Sequence, residues 1–204
     1  QSMIAHSLRL LYLHPSKTGG TSIEGGLLKH ELGESVSWSD VKYYRSHMYA
    51  VWENKGMTHW DYATLIREFP FLSDWDSFMT TRNPYDRAIS EWRYQQDGNR
   101  TNTTKFHTSD DINGAIKSGA MQEAQYPYHW WPQHNYVGHN TKIIPMEDIN
   151  QEWENMGFEP LKTLNISTKK KNYILDDDSV EIVYKRFEQD FKYFNYSPEY
   201  KPKL

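Results

Sequence analysis

The sequence predicts an α/β fold: a single domain with a mainly parallel central sheet flanked by helices. Three observations support this class: short apolar segments alternate with helical patterns, no internal repeat or low-complexity linker divides the chain, and 204 residues are enough for one well-formed core. We expect the domain to span residues 3–204, because Gln1 and Ser2 ahead of Met3 resemble the remnant of a cleaved tag.

The first half of the chain contains a strand, a turn and a helix in succession. The apolar run at residues 8–14 predicts a buried strand, and residues 23–32 have the apolar spacing of a helix, which two adjacent glycines weaken. Residues 41–52 predict another strand. Residues 62–69 predict a short helix that ends before Pro70, because proline interrupts helices.

The second half also alternates strands with helices. Residues 76–82 predict a strand, followed by Asn83 as a helix N-cap and Pro84 at the first helical position. The polar residues 97–115 predict a loop, residues 141–146 predict a strand, and Asp178 or Ser179 is expected to cap the last helix. Helical spacing predicts two buried faces, formed by Tyr85, Ala88, Ile89 and Trp92 and by Val180, Val183, Tyr184, Phe187, Phe191 and Phe194.

Composition excludes several classes of function. Lys and Arg total 23 against 27 Asp and Glu, so the net charge of −4 predicts no nucleic-acid partner. No run of 18 apolar residues is present, so we expect no membrane span. The absence of cysteine excludes disulfides, thiolate metal sites and a cysteine nucleophile. Because cysteine, signal and anchor are all missing, we expect a cytoplasmic protein; the oligomeric state stays open.

The aromatic share of 15%, with 15 Tyr and 8 Trp, is high. Tyr and Trp rings are amphipathic, so a surplus indicates either a polar ligand held by ring faces, such as a base or a sugar, or simply a tyrosine-rich surface.

The turn after the first predicted strand has the composition of an anion-binding loop. In the segment Lys17-Thr-Gly-Gly-Thr-Ser22, glycines let the main chain approach an oxyanion, the lysine adds a charge, and three hydroxyls add donors. An ordinary strand-to-helix turn is the alternative for the glycines alone. The lysine precedes the glycines, unlike in the nucleotide-triphosphatase loop, and the dinucleotide fingerprint is absent.

A second anion motif follows the strand at residues 76–82. Arg82 can donate a forked pair of hydrogen bonds to phosphate, and Ser90, eight residues later on the predicted helix, adds a hydroxyl. The alternatives are a salt bridge from Arg82 to Asp86 and a neutral surface role for Ser90.

These two motifs, in this order, resemble the phosphosulfate loop and the 3′-phosphate motif of sulfotransferases. The similarity is closest to carbohydrate sulfotransferases of the heparan 6-O-sulfating type and their bacterial or viral-looking relatives. The resemblance implies a P-loop-like sulfotransferase fold, 3′-phosphoadenosine 5′-phosphosulfate as donor, adenosine 3′,5′-bisphosphate as product, no metal, and a hydroxyl acceptor on a carbohydrate. The implied donor contacts are Lys17, Thr18, Gly19, Gly20, Thr21, Ser22, Arg82, Ser90, Thr168 and Lys170.

Three of these positions need comment. Thr168 and Lys170 lie where the family has a loop that closes over the donor, although a lysine run is also typical of a solvated surface. Lys17 is expected to neutralise the leaving oxygen as well as to bind the donor.

The resemblance also implies a catalytic base. His59 occupies the position of the family's catalytic histidine, and an imidazole is suited to general-base work at neutral pH. Asp61 is a candidate to orient it, and His47 is the second choice of base. A histidine without chemistry is the alternative for His59, and His14 beside the loop is expected only to pack or to hydrogen-bond locally.

The acceptor is expected to contact an aromatic stretch at residues 126–134, because sugar rings stack on Trp. A hydrophobic staple between loops is the alternative. The predicted acceptor contacts are Trp60, His129, Trp130, Trp131 and His134.

Two other functions compete with a sulfotransferase. A small nucleotide kinase is disfavoured by the position of Lys17, and a carbohydrate-binding module without catalysis would use only the aromatic stretch. Binding of adenosine 3′,5′-bisphosphate separates the sulfotransferase from both.

Overall fold

A four-stranded sheet with the order β1-β2-β3-β4 organises the first part of the chain. The structure, a computed structural model, describes residues 2–33, 37, 39, 59–96, 111–121, 127–161 and 172–203. These residues form two compact units, Gln1–Thr81 with Asn135–Ile166 and Arg82–His134 with Ser167–Leu204. The predicted α/β class is confirmed; one domain over residues 3–204 stays a prediction.

The sheet lies in the first unit and is mainly parallel. Its strands are β1 (Met3–Ala5), β2 (Leu10–Leu13), β3 (Asp76–Thr81) and β4 (Thr141–Pro145). β2, β3 and β4 are parallel, with Leu11 opposite Ser77 and Met79 opposite Ile143, whereas β1 pairs antiparallel with β2. The carboxyl ends of three strands therefore meet at one edge, where ligands of α/β proteins bind.

β1 is absent from the predictions, because three residues are too few to show alternation. Ser2, set aside as a tag remnant, is buried beside it. Its hydroxyl accepts from the His14 N–H at 3.2 Å and donates to the Trp60 carbonyl at 2.8 Å. The predicted strand at 41–52 lies outside the described residues.

Within the described residues, the first unit contains the helices α1 (Gly20–Leu32), α2 (Tyr62–Glu68) and, after β4, a helix at Ile149–Asn155. α1 begins three residues before the predicted start and ends at Gly33, whose φ of 72° is the left-handed conformation that glycine supplies at helix ends. Its apolar face (Ile23, Leu27, Leu28) packs in a core with Phe78 and Trp153. A side chain at Gly26 would overlap the Trp153 ring, so this glycine permits close packing.

The second unit is built on helices α3 (Pro84–Gln96) and α4 (Ile112–Lys117), with the last helix of the chain at Asp177–Tyr193. We label the helices at Ile149–Asn155 and Asp177–Tyr193 α5 and α6. The predicted apolar face of α3 is confirmed, because all four residues are buried. In α6, Val183, Phe187 and Phe191 are buried in the same core, and Val180 and Tyr184 pack partly buried against it.

Two expectations in this unit need correction. The polar segment 97–115, predicted as a loop or excursion, ends in α4: Asp111 accepts the Gly114 N–H at 3.0 Å and caps the helix, and Ile112 and Ile116 enter the core. Residues 97–110 lie outside the described residues. α6 is capped by Asp176 rather than by Asp178 or Ser179: its carboxylate accepts the Ser179 N–H at 2.9 Å. The expected residues are two and three positions too late, because three acidic side chains in succession give the same signal.

The Asp176 cap makes stability depend on pH. The hydrogen bond from Lys117, followed by those from Ser179, lowers the pKa of Asp176 to about 2. A lowered folded-state pKa contributes stability above the unfolded pKa, and this contribution is lost as the pH falls towards 2. We therefore expect the free energy of unfolding to decrease more between pH 5 and pH 3 in the wild type than in Asp176→Asn. Urea unfolding at both values measures this difference.

Asp177→Asn, which removes the same charge from the first turn of the same helix, is the matched control. An identical pH dependence in wild type and Asp176→Asn would show that the cap is not the titrating contribution.

Candidate functional site

The loop between β2 and α1 has the main-chain form of an anion site. Lys17 and Gly19 have positive φ values of 66° and 83°, with Thr18 between them, and α1 begins immediately at Gly20. Alternation of this kind turns successive N–H groups to one side, and the start of a 13-residue helix adds partial positive charge. Gly19, the N-cap, has no side chain to occupy the first N–H groups of the helix.

The hydroxyl of Thr18 holds the loop together. Thr18 Oγ1 donates to the Pro15 carbonyl at 2.7 Å and accepts from Thr80 Oγ1 at 3.0 Å; Thr80 in turn lies 3.1 Å from the Tyr12 hydroxyl. Thr18 is fully buried. The expectation that its hydroxyl is offered to the donor is therefore corrected, because its single proton is already donated within the loop. Its main-chain N–H keeps the predicted role.

His14, the residue after β2, lies against the start of α1. Its Nδ1 is 2.9 Å from Glu24 Oε1, and both side chains are buried. A side chain at Gly20 would overlap the His14 imidazole, so the glycine is required by this close approach. The Gly20 of the predicted donor loop thus has a second, steric function.

The fold brings His59, the predicted catalytic base, to His14. Its Nδ1 lies 2.6 Å from the His14 carbonyl oxygen, and the two rings meet edge-on at 4.8 Å. A carbonyl only accepts, so Nδ1 carries the proton and the neutral ring has its lone pair on Nε2. His59 is buried and has a φ of 60°, in the left-handed region that few non-glycine residues adopt.

Two neighbours of His59 were also expected to take part. Asp61 caps α2 by accepting the Thr64 N–H at 2.7 Å, so its carboxylate has a helix-capping role. Trp60 is half-buried and stacks on Phe69 with a centroid separation of 6.4 Å. Its contact with an acceptor stays a prediction.

In the second unit, the predicted start of α3 is confirmed. Asn83 Oδ1 accepts the Tyr85 N–H at 2.9 Å, and Pro84 is the first helical residue. Ser90 is half-buried, on the face of α3 opposite the apolar core. Asp86, the alternative partner of Arg82, forms an ion pair with Lys203 at 2.5 Å.

The main chain of Arg82 is held by Gln133. The Arg82 N–H donates to Gln133 Oε1, and Gln133 Nε2 donates to the Arg82 carbonyl, both at 2.9 Å. Asp190 accepts the N–H groups of Gln133 and His134 at 2.7 and 2.9 Å and lies 2.6 Å from His134 Nδ1. Gln133 and Asp190 are both fully buried and are absent from the predicted site. The sequence signal for Asp190 is its place in the Asp-Phe-x-x-Phe ending of α6; a lone glutamine gives none.

The aromatic stretch divides into buried and exposed residues. Trp130 is 3% exposed and packs edge-on against Phe187, and His129 is buried, with its Nδ1 3.0 Å from Glu91 Oε2. The alternative of a hydrophobic staple is favoured for these two residues, because Trp130 packs in the core beside α6 and His129 contacts a buried carboxylate of α3. Trp131 is 40% exposed, and its contact with an acceptor stays a prediction.

Several predicted residues lie outside the described part of the chain: Thr168, Lys170 and His47. Within the described ranges, no helix is both long and apolar enough to cross a membrane. The same ranges contain no cluster of three His, Asp or Glu residues arranged to hold a metal ion.

Comparison with known proteins identifies a family for this chain. A family model with the description "Sulfotransferase family" matches residues 1–197. No curated protein and no solved structure gives a significant match. The family match covers the strand, loop and helix of the anion site and also the Arg82 and Asp190 segments. The chain therefore belongs to the sulfotransferase family, whose members are transferases that act on hydroxyl-bearing acceptors.

Proposed function

We propose that this protein transfers a sulfuryl group from 3′-phosphoadenosine 5′-phosphosulfate to a carbohydrate hydroxyl, with His59 as general base. The observation that carries the proposal is the hydrogen bond between His59 Nδ1 and the His14 carbonyl, 2.6 Å long. It presents Nε2 as the basic atom of a ring buried beside the anion loop. The carbohydrate acceptor and the cytoplasmic location rest on the sequence arguments alone.

The chemistry assigned to each residue follows from charge and position. His59 Nε2 takes the proton of the acceptor hydroxyl as its oxygen bonds to sulfur, while the bond from sulfur to the bridging phosphate oxygen breaks. Lys17 and the N–H groups of the loop neutralise the charge that develops on the departing 5′-phosphate. Positioning and electrostatics supply most of the rate, as in phosphoryl transfer.

Arg82 and Ser90 are proposed to bind the 3′-phosphate of the donor. Arg82 is placed at the junction of β3 and α3, and a guanidinium offers two parallel donors to a phosphate. The exposed Trp131 is proposed to contact the acceptor.

Arg82→Ala should weaken binding of adenosine 3′,5′-bisphosphate by on the order of 2–4 kcal/mol, because it leaves the 3′-phosphate without its charged partner. Isothermal titration calorimetry of folded protein measures the change. Arg67→Ala, which removes the same charge from an exposed position on α2, is the control and should bind normally. Unchanged affinity in Arg82→Ala would reject the assignment.

Activity should persist in the presence of a chelator. The sulfuryl group carries less charge than a terminal phosphoryl group, so Lys17 and the loop N–H groups suffice to neutralise it. Sulfation of an oligosaccharide panel is measured with EDTA and then with added magnesium. Loss of activity with EDTA and its recovery with magnesium would favour the nucleotide kinase.

His59→Asn should lower turnover by roughly 10²–10⁴-fold while bisphosphate affinity stays nearly intact, because it removes a positioned base. Asparagine tolerates the positive φ at this position better than most residues, so the local main chain is retained. Steady-state sulfation of an oligosaccharide panel and calorimetry with the bisphosphate measure the two effects.

Lys17→Ala provides the contrast to His59→Asn. It should lower turnover and also weaken donor binding, because its charge acts on both ground state and transition state. Full turnover by folded His59→Asn on an accepted substrate would transfer the base role to another residue, with His47 the next candidate.

A further inference from the structure

Arg82 lies between two regular elements and is held there by a side chain. β3 ends at Thr81 and α3 begins at Pro84, so neither a strand ladder nor a helix fixes residue 82. The planar amide of Gln133 offers an acceptor to the Arg82 N–H and a donor to the Arg82 carbonyl, both at 2.9 Å. This amide replaces the neighbouring strand that Arg82 lacks.

Gln133 is itself anchored by a buried carboxylate. Asp190 on α6 accepts the Gln133 N–H at 2.7 Å and the His134 N–H at 2.9 Å, and His134 Nδ1 lies 2.6 Å from the same carboxylate. Gln133 and Asp190 are both 0% exposed. Buried polar groups with satisfied partners rigidify their surroundings, so α6 fixes the turn and the turn fixes Arg82.

A fixed main chain matters for an arginine that binds phosphate. A guanidinium makes two parallel hydrogen bonds only when its plane is aligned with the phosphate oxygens. The direction of the Arg82 Cα–Cβ bond determines which positions its guanidinium can reach. Contacts that hold this bond in a fixed direction make the phosphate site selective. A displacement of the guanidinium by about 1 Å weakens its interaction with the phosphate.

We propose that Gln133, anchored by Asp190, is the positioning residue that lets Arg82 discriminate for the 3′-phosphate of the donor. This inference rests on the proposed function, in which Arg82 contacts that phosphate. Gln133 touches no substrate in this scheme and acts only through Arg82.

The test is a ratio of two affinities. Calorimetry gives the dissociation constants for adenosine 3′,5′-bisphosphate and for adenosine 5′-monophosphate, which lacks the 3′-phosphate. Gln133→Met keeps the volume of the side chain but removes both hydrogen bonds to Arg82. We expect the preference for the bisphosphate to fall about tenfold, as for the loss of alignment of one charged hydrogen bond, while monophosphate affinity changes little.

Gln95→Met is the matched control. Gln95 is another buried glutamine of the same unit, and its Nε2 donates to Glu91 Oε1 at 2.7 Å. This variant should lose stability to a similar extent in thermal unfolding and keep the wild-type preference. A general loosening of the unit would instead lower the preference in both variants and overturn the inference.

A double-mutant cycle tests whether Gln133 acts through Arg82. In the Arg82→Ala background, Gln133→Met should cause no further loss of preference. A full additional loss would show that Gln133 acts independently, and a wild-type preference in folded Gln133→Met would also overturn the inference. Should Gln133→Met fail to fold, Gln133→Asn replaces it, because its shorter amide remains polar yet cannot reach both main-chain groups of Arg82.

Failure of the proposed function gives a different result. The donor assignment is wrong if the wild type shows no preference for the bisphosphate, or if Arg82→Ala retains the wild-type preference. Either result rejects the proposed function independently of the Gln133 variants. If the wild type prefers the bisphosphate and Arg82→Ala loses this preference, only the Gln133 variants decide the inference.

Discussion

The buried contact between His14 and Glu24 fixes the point where β2 ends and the loop before α1 begins. With Nδ1 directed to Glu24, the His14 ring lies on the first residue of α1, which must be glycine. The main chain of the same residue receives His59 on its carbonyl and donates its N–H to Ser2. One residue therefore sets the start of the helix, the tautomer of the proposed base and the position of the N-terminal segment.

The second unit also contains buried carboxylates that are stabilised by hydrogen bonds. Glu91 and Asp190 are buried carboxylates, and each receives several donors: Glu91 from His129 and Gln95, Asp190 from Gln133 and His134. Removal of a carboxylate from water is expensive unless hydrogen bonds replace the solvent. Through these partners, the two carboxylates hold the short 3₁₀ turns at Pro127–Trp130 and Gln133–Tyr136 against α3 and α6.

The sequence predicts the elements whose signals are local. The glycine-containing turn before α1 and the start of α3 are confirmed, because glycine conformations, Asn83 capping and proline at the first helical position act within a few residues. The donor contacts themselves remain predictions. The role of the Thr18 hydroxyl was not predictable, since it depends on Thr80, which lies 62 positions away along the chain.

The aromatic stretch at residues 126–134 has features that a local sequence pattern does not predict. Trp130 and Trp131 are adjacent and chemically identical, yet one is 3% and the other 40% exposed. Trp130 is buried against Phe187 of α6, which lies far along the chain, so no local pattern separates the two residues. Gln133 is missed for the same reason, because its importance arises only when the fold places its amide beside the main chain of Arg82.

The hydroxyls of Tyr12, Thr80 and Thr18 form a chain that ends on the Pro15 carbonyl. A row of hydroxyls usually has two equivalent proton arrangements, each the reverse of the other. A carbonyl cannot donate, so the last bond must point towards Pro15, and every earlier bond must then point the same way. The row has a single proton configuration and therefore no orientational degeneracy. The three O–H groups therefore donate head to tail, from Tyr12 to Thr80, from Thr80 to Thr18 and from Thr18 to Pro15, and reversal of any one of them would cost a hydrogen bond.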